Sequence, residues 1–597
     1  MKGMKTLLHD ADVCVVGGGL AGLCAAISSA RHGAKTILYQ ERPMLGGNAS
    51  SEIRMWVCGA QGRGNRETGI LEELYLENQF RNADKNYSIW DSVLWAKAAN
   101  ETNLTTLLNC TVCDCKMNAN TIVSVRGWQM TTQKWHETCA KVFIDCSGDS
   151  ILAPLSGAGY FMGREGRDEF NESIAPVATD HKTMGMSCLI QARQEMRPSA
   201  FIAPNWAYRY TLKDLKNRLP DLNCPGENFW YLELGGEGDS IADSEEIRDE
   251  LLKTAFGIWD YIKNAPENKE KNQYWRLDFL GMLPGKRESR RYEGLYIMNQ
   301  RDLERGGKFN DIIAYGGWPM DDHPPTGFLS DGPPTALQST PSPYGIPYRC
   351  LCSRNIPNLM FAGRNISVTH AVLSSTRVMA TCAILGQAAG AGAAFAVALN
   401  LTPGEVYPNH IPALQQSLLY EDCWLPGLRR ELPDVIHETE IISQAENAEL
   451  LRDGFDRDSI SEQHGSYLPI GIPLELRFHR ERNIRRIRLV FDSDLDRQTL
   501  PEEERILNRF MLANRFRQWP DSYVPTTMTK AYRLEAVMSD HSVQTLFETS
   551  LQYQRLCIHK VNVMATAIYF TPLATWGAEK CHLFSIDVDG KDGEAGL

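Results

Sequence analysis

The sequence predicts an α/β domain with a parallel sheet, interrupted by an α+β cap and followed by an all-β sandwich. Three observations carry this reading. Near the N-terminus a buried strand (12–16) passes through a glycine-rich turn into a helix of small residues (20–31). The same strand–glycine–helix texture returns over 359–399. Beyond about residue 430 it gives way to short runs of alternating apolar and polar residues, the period of half-buried strands. We therefore expect a discontinuous α/β domain over 10–165 and 340–410, a cap over 166–339 and a β-module over 430–597.

Taken in order, the strand at 35–39 completes a β-α-β unit with the first strand and helix. A second buried strand, 140–145, leads into Cys146-Ser147-Gly148-Asp149. The middle of the chain is richer in proline, tryptophan and charge, and its clearest helix spans 244–264. The strand at 359–363 precedes one long helix expected over 375–399, with Ser374 as its N-cap. In the last third, alternation at 474–478, 484–491, 532–537, 556–563 and 583–588 marks the strands of the sandwich.

At 597 residues the chain exceeds what one hydrophobic core organises. A net charge of -12 argues against a general nucleic-acid binder, and no apolar run is read as a membrane span. The opening Met1-Lys-Gly-Met-Lys5 leads into the first strand instead of a cleavage site, so a cytoplasmic location is expected. The sixteen cysteines follow no framework spacing. Several (Cys14, Cys24, Cys146, Cys188, Cys382) sit in apolar runs, as reduced core cysteines do.

The strongest motif is Val13-Cys-Val-Val-Gly17-Gly18-Gly19-Leu20-Ala21-Gly22. A G-x-G-x-x-G sequence gains meaning when it follows a strand and opens a helix. Gly17 permits the tight turn, Gly19 lets a pyrophosphate approach the backbone, and Gly22 lets helix and strand pack closely. Leu20 and Ala21 then offer the helix N-terminus to the phosphates. The ribose-binding acid belongs at the end of the second strand, where Gln40 and Glu41 share the place; carboxylate chemistry favours Glu41.

Three further segments favour FAD over NAD. The loop Glu41-Arg42-Pro-Met-Leu-Gly46-Gly47-Asn48-Ala-Ser50-Ser51-Glu52 carries a glycine pair and hydroxyls. Ser147, Gly148 and Asp149 return the chain toward the same phosphates, and Gly363-Arg364 supplies a distant third contact that only an extended FAD requires. Val112, in the strand around Cys110-Thr-Val-Cys113, completes the expected cofactor contacts. That cysteine pair is read as strand, with its members on opposite faces, and not as a redox or metal pair.

Together these segments make a Rossmann-type FAD-binding domain. They resemble the FAD-dependent oxidoreductase family related to fumarate reductase flavoproteins and tRNA uridine-modifying flavoproteins, over about residues 10 to 400. The resemblance includes the Gly46-Gly47-Asn48-Ala-Ser50-Ser51-Glu52 loop, the run Gly285-Lys-Arg287-Glu-Ser-Arg290-Arg291, and 314–323, which ends in Asp321-Asp322-His323. It departs at Gln40, where an acid is usual, and at Cys146-Ser147, where alanine–threonine is commoner. The resemblance implies a flavin and no particular substrate. Asn48 stands where a covalent histidine would be, so the FAD is expected to be non-covalent.

For catalysis, His323 beside its aspartates reads as a general base. His370, between the Gly363 turn and the next helix, is expected to reach the flavin, and His181 ranks below both; each can equally be a hydrogen-bonded core or surface histidine. Arg287, Arg290 and Arg291 read as an anion fork or as a salt-bridged scaffold, with Arg290 facing the substrate. The helix starting near Ser375, with Arg377 in its first turn, is expected to direct its N-terminus at the flavin. Gly386, Gly390 and Gly392 read as packing positions.

The C-terminal module resembles galactose-binding-like sandwiches, which implies either carbohydrate binding or inert docking. The whole chain is thus expected to move a hydride between flavin N5 and a small polar substrate, sugar-like or a carboxylate. The competing readings are a nucleic-acid-modifying flavoprotein and a non-catalytic FAD-containing binding protein.

Overall fold

The computed structural model describes residues 4–215, 217–223, 227–500, 511, 513–518 and 521–590. The chain divides into two compact units. One falls within Met1–Ala60, Lys85–Ile411 and Arg509–Pro520, the other within Gln61–Asp84, Pro412–Asn508 and Asp521–Leu597. The expected α/β domain and cap therefore share one unit. The second unit starts near 412 instead of 430, and also takes in 61–84.

The first unit is built on a sheet of β1 (Thr6–Val16), β2 (Thr36–Tyr39), β3 (Leu104–Leu107), β4 (Cys110–Asn118), β5 (Thr121–Gln129) and β6 (Lys134–Asp145). Their order is β3-β2-β1-β6-β5-β4, and Leu359–Phe361 pairs with β6. β1 runs parallel to β2 and β6, and Leu359–Phe361 runs parallel to β6. Val16 lies opposite both Tyr39 and Asp145, and Phe361 opposite Asp145. Four strands thus end flush, and the turns that follow gather at one carboxyl edge, where α/β sheets bind ligands.

Val13, Cys14, Val15 and Val16 are buried, and the helices Leu20–Arg31 and Met379–Leu399 both pack against β1. β1 begins at Thr6, earlier than expected, because its polar first half is held by pairing with β6 from Thr6–Trp135 onward. The helix α1 (Leu20–Arg31) crosses the helix Met379–Leu399 closely. A Cβ on Gly386 would stand 2.0 Å from the Ala21 carbonyl oxygen, and one on Gly390 2.2 Å from that of Ala25. These glycines are packing positions, as their sequence context indicates.

The single helix expected over 375–399 is in fact two, His370–Thr376 and Met379–Leu399, with Arg377 and Val378 between them. Thr369, not Ser374, caps the first, accepting from the Val372 amide. Ser374 lies inside that helix and donates to the Ala371 carbonyl. Met379–Leu399 is also long and apolar enough to span a membrane by length and composition, which corrects the expectation that no such run exists. It is 83% buried inside the protein, as a core helix is.

The cap helix Ser244–Asn264 spans the expected residues and packs Ile258, Trp259 and Ile262 against Phe229 and Trp275. In the second unit an antiparallel sheet runs Ser466–Pro469, Lys580–Asp589, Leu474–Phe491, Leu556–Thr575, Thr529–Val537, Val543–Thr549, with Thr439–Ile442 also on Leu474–Phe491. The two strands expected at 474–478 and 484–491 are one, bulged between Arg477 and Arg482, and 556–563 extends to Thr575. Bulges let such long strands bend and serve both halves of the β-sandwich. Arg430 and Arg488 are buried in this unit, with Arg488 2.7 Å from the half-buried Asp456.

Candidate cofactor and active site

A cavity of about 650 Å³ opens at the carboxyl edge of the parallel strands. Its first wall is the turn after β1. Gly17 has φ +100°, and a Cβ there would meet the Cys146 carbonyl oxygen at 2.5 Å, so only glycine fits. Gly19 caps α1 with no side-chain acceptor, and a Cβ on it would have only the Gly47 Cα, 3.9 Å away, as neighbour. The first amides of α1 have no partner within the helix, and Gly19, Leu20 and Ala21 line the cavity. Gly22 does not line it; a Cβ there would overlap the Gly17 carbonyl, so this glycine serves helix–strand packing.

At the end of β2, Gln40 accepts from the Gly18 amide (2.8 Å) and donates to the Met44 carbonyl (2.8 Å). Both ends of that amide are occupied. Glu41, next to it on the cavity wall, keeps an exposed carboxylate 3.6 Å from Arg42. Arg42 lies 3.7 Å from Glu52, yet its buried Nε and Nη1 make no hydrogen bond. In the glycine-pair loop, Gly46, Gly47 and Asn48 line the cavity, whereas Ser50 and Ser51 do not. Ser50 donates to the Gly47 carbonyl at 2.7 Å, and the Ser51 amide donates to Asp91 at 3.1 Å. Both are spent on holding the loop.

The buried Asp145 shapes the opposite turn by accepting from the Ser147 amide (2.8 Å), the Ser147 hydroxyl (2.7 Å) and Tyr292 (2.6 Å). Asp149 then meets Arg364 at 2.6 Å and Lys286 at 2.8 Å. Burial would raise its pKa, but those two cations hold it below the usual carboxylate range. Ser147, Gly148, Asp149, Gly363, Arg364 and Val112 all line the cavity. Cys110 is buried and Cys113 exposed on their strand.

The far end of the cavity is polar and aromatic. His323 is buried; its Nδ1 lies 2.7 Å from Glu233 and its Nε2 3.5 Å from Asp321. Trp230 meets the imidazole edge-on at 5.3 Å. Arg377 donates to the Asp321 carbonyl at 2.9 Å and lies 3.2 Å from its carboxylate. The charge of Arg377 and hydrogen bonding from Thr335 outweigh burial and hold Asp321 well below the usual carboxylate range. The expected arginine group is divided. Arg290 lines the cavity, lying over the Tyr160 ring and donating to the Asp149 carbonyl at 3.4 Å. Arg287 lines it too, tied to Ser187 (3.0 Å) and the Trp230 carbonyl (2.8 Å). Arg291 is scaffold, held at 2.8 Å to Glu165.

His370, Ser375 and His181 also lie outside the cavity wall. His370 does not reach it: Nδ1 is 3.0 Å from Glu288 and Nε2 3.1 Å from Asp322. Burial would lower its pKa, but the two carboxylates raise it to about 10, so it is an imidazolium. Ser375 is buried with its hydroxyl on the Trp318 carbonyl and Tyr344. The helix expected to start there instead presents Val378 and Met379, at the start of Met379–Leu399, to the cavity. His181 is exposed and does not line the cavity. Glu233, Trp230, Trp318 and Lys286 were not singled out from sequence. Lys286 lies inside a quoted run, whereas Glu233 has no local signature, because its partner His323 is 90 residues away.

A flush parallel edge, an uncapped helix start and unbonded guanidinium nitrogens beside one long cavity define a dinucleotide-binding site that fits an anionic cofactor. The family model for FAD dependent oxidoreductases matches residues 12–418, and the chain belongs to that family: it is an FAD-dependent oxidoreductase. No curated protein matches the sequence. Among solved structures, the chain is similar to a geranylgeranyl bacteriochlorophyll reductase-like protein from Thermoplasma acidophilum (14% identity, 70% of this chain, 85% of that one, TM-score 0.31). It is also similar to a flavin-dependent brominase (13%, 69%, 86%, TM-score 0.33). Part of the chain is similar to the family 32 carbohydrate-binding module of Streptococcus pneumoniae EndoD (11%, 26% of this chain, 99% of that one, TM-score 0.18).

Proposed function

We propose that the chain holds FAD non-covalently along the glycine turns and oxidises a small polar alcohol, sugar-like or carboxylate-bearing, at the His323 end of the cavity. The observation that carries this is continuity: one cavity is lined by Gly17, Gly19 and Ser147 and also by Arg377, Asp321 and His323. The α1 amides and Arg42 would hold the diphosphate, and Glu41 the ribose, since Gln40 is already bonded at both ends. Bound there, the flavin supplies an acceptor for the two electrons and hydrogen that leave a carbinol carbon as hydride.

His323 does the proton work. With Glu233 accepting from Nδ1–H, Nε2 is the nitrogen left to remove the hydroxyl proton as the carbinol becomes a carbonyl. Arg377 fixes Asp321 beside this nitrogen. The uncapped start of Met379–Leu399 lends its partial positive charge to the same wall.

The test is anaerobic bleaching of the purified yellow protein against sugars and hydroxy acids, followed by the same assay on His323→Ala. Losing one positioned base costs on the order of 10² to 10⁴ in rate. We expect flavin reduction to slow by that order while the bound-FAD spectrum stays unchanged. An unaltered reduction rate would remove His323 from the mechanism.

A further inference from the structure

We propose that the substrate is a neutral sugar or polyol and not a carboxylate, because the arginines at the His323 end already hold carboxylates of the chain itself and two of the indoles lining the cavity stand against His323 and Asp321. This rests on the reading of that end as the substrate site. Arg377 stands 3.2 Å from the Asp321 carboxylate, and Arg287 stands 3.5 Å from Glu233. Arg287 also spends its donors on Ser187 and on the Gly185 and Trp230 carbonyls. Further along the wall, Lys286 and Arg364 share Asp149.

A substrate carboxylate arriving here would have to displace a chain carboxylate from its arginine or stand unpaired beside it. Both courses are costly, because Glu233 is buried and Asp321 largely so, and like charges repel more strongly where little water screens them. Glu233 is buried and kept in its charged form by Arg287 and His323, which outweigh its burial, so it does not yield its place by taking a proton.

Among the described cations of the wall, Arg290 alone has no carboxylate within 4.0 Å. It donates to the carbonyl of Asp149, the residue after Gly148 on the turn assigned to the cofactor. Its anion is therefore taken to be a cofactor phosphate, which leaves the substrate end electrically balanced. What that end offers is suited to hydroxyls and C–H faces. Asp321 and His323 bond hydroxyls, and the indoles of Trp230 and Trp318 supply flat apolar surface. Trp318 lies with its Nε1 3.3 Å from Asp321, so one indole is fixed beside the acceptor.

The test uses the FAD-loaded full chain and matched pairs that differ only in the acid group: D-glucose with D-glucuronate, and D-galactose with D-galacturonate. Binding is read by quenching of tryptophan fluorescence, and turnover by anaerobic bleaching of the flavin. We expect the neutral member of at least one pair to bind about tenfold or more tightly than its acid, a gap of one decade in Kd. Asp321→Asn, which releases Arg377, is expected to narrow or invert that preference. A wild-type preference for the uronate, or no response to any neutral member, overturns the proposal. Bleaching by a hydroxy acid such as lactate would overturn it too while leaving the oxidoreductase reading intact, so the two failures are separable.

Discussion

Replacing His370 should change how the stability of the protein responds to pH, because the imidazole is buried between two carboxylates. Nδ1 is 3.0 Å from Glu288 and Nε2 3.1 Å from Asp322, and the folded-state pKa stands at about 10 against an ordinary 6.5. Below about pH 6.5 both folded and unfolded chains carry the proton, and the full contribution is present. As pH rises the unfolded chain gives up its proton first, and the contribution shrinks until the folded form follows near pH 10. At about 1.36 kcal/mol per unit, the interval between 6.5 and 10 corresponds to about 5 kcal/mol. That is a large share of the roughly 5–15 kcal/mol that stabilises a typical domain. Urea unfolding of wild type and His370→Gln, at saturating FAD and half-unit steps from pH 6 to 10, isolates the term, because other titrating groups are common to both proteins. The wild type is expected to lose stability relative to the variant across this window. Parallel curves would refute the argument and mean that the His370 pKa is the same in the folded and unfolded chains.

Three further outcomes follow from local geometry. Gly19→Val adds a Cβ whose only neighbour is 3.9 Å away, so the fold should survive while the side chain fills the diphosphate's place and FAD binding is lost, read by flavin absorbance after gel filtration. Gly390→Val places atoms where even a Cβ lies 2.2 Å from the Ala25 carbonyl; overpacking of this kind costs about 1–3 kcal/mol or more and should lower the midpoint of the flavin-reported transition. Arg488→Met leaves Asp456 short of a buried partner that held it at 2.7 Å, a change worth about 3–5 kcal/mol, and should destabilise the C-terminal unit in calorimetry while leaving the flavin spectrum unchanged.

The half of the site that the sequence made legible is the half built from contiguous chain. Gly17, Gly19 and α1 form a strand–turn–helix whose backbone demands are written in residue types, and the turn at Ser147–Gly148–Asp149 carries the same local grammar. Where hydroxyls were read as ligand contacts the reading overreached. Ser50 and Ser375 sit in the right segments, but their oxygens are consumed by Gly47 and by Trp318 and Tyr344. Composition cannot say which of several hydroxyls a loop keeps for itself. The helix break at Arg377–Val378 was hidden for a related reason: small residues run through 375–399 without proline or an acidic first turn to mark the second start.

The polar and aromatic end of the cavity depends on pairings that only the folded chain creates. His323 was found from its aspartate neighbours, yet the carboxylate that orients it is Glu233, and the residue that fixes Asp321 is Arg377, 56 positions on. Sequence singled out both histidines, His323 for its aspartate neighbours and His370 for its place after the Gly363 turn. The fold separates them by how their nitrogens are used. His370 has a carboxylate within 3.1 Å of each nitrogen and is held as a cation, so it has no lone pair for chemistry. His323 has one close carboxylate on Nδ1, while Nε2 stands 3.5 Å from the nearest, beyond a good hydrogen bond. Asp321 and Asp322 are adjacent, but side chains alternate along the short strand Met320–Asp322, so one meets Arg377 and the other His370. One step of pleat thus turns the first aspartate to the cavity wall and the second to His370.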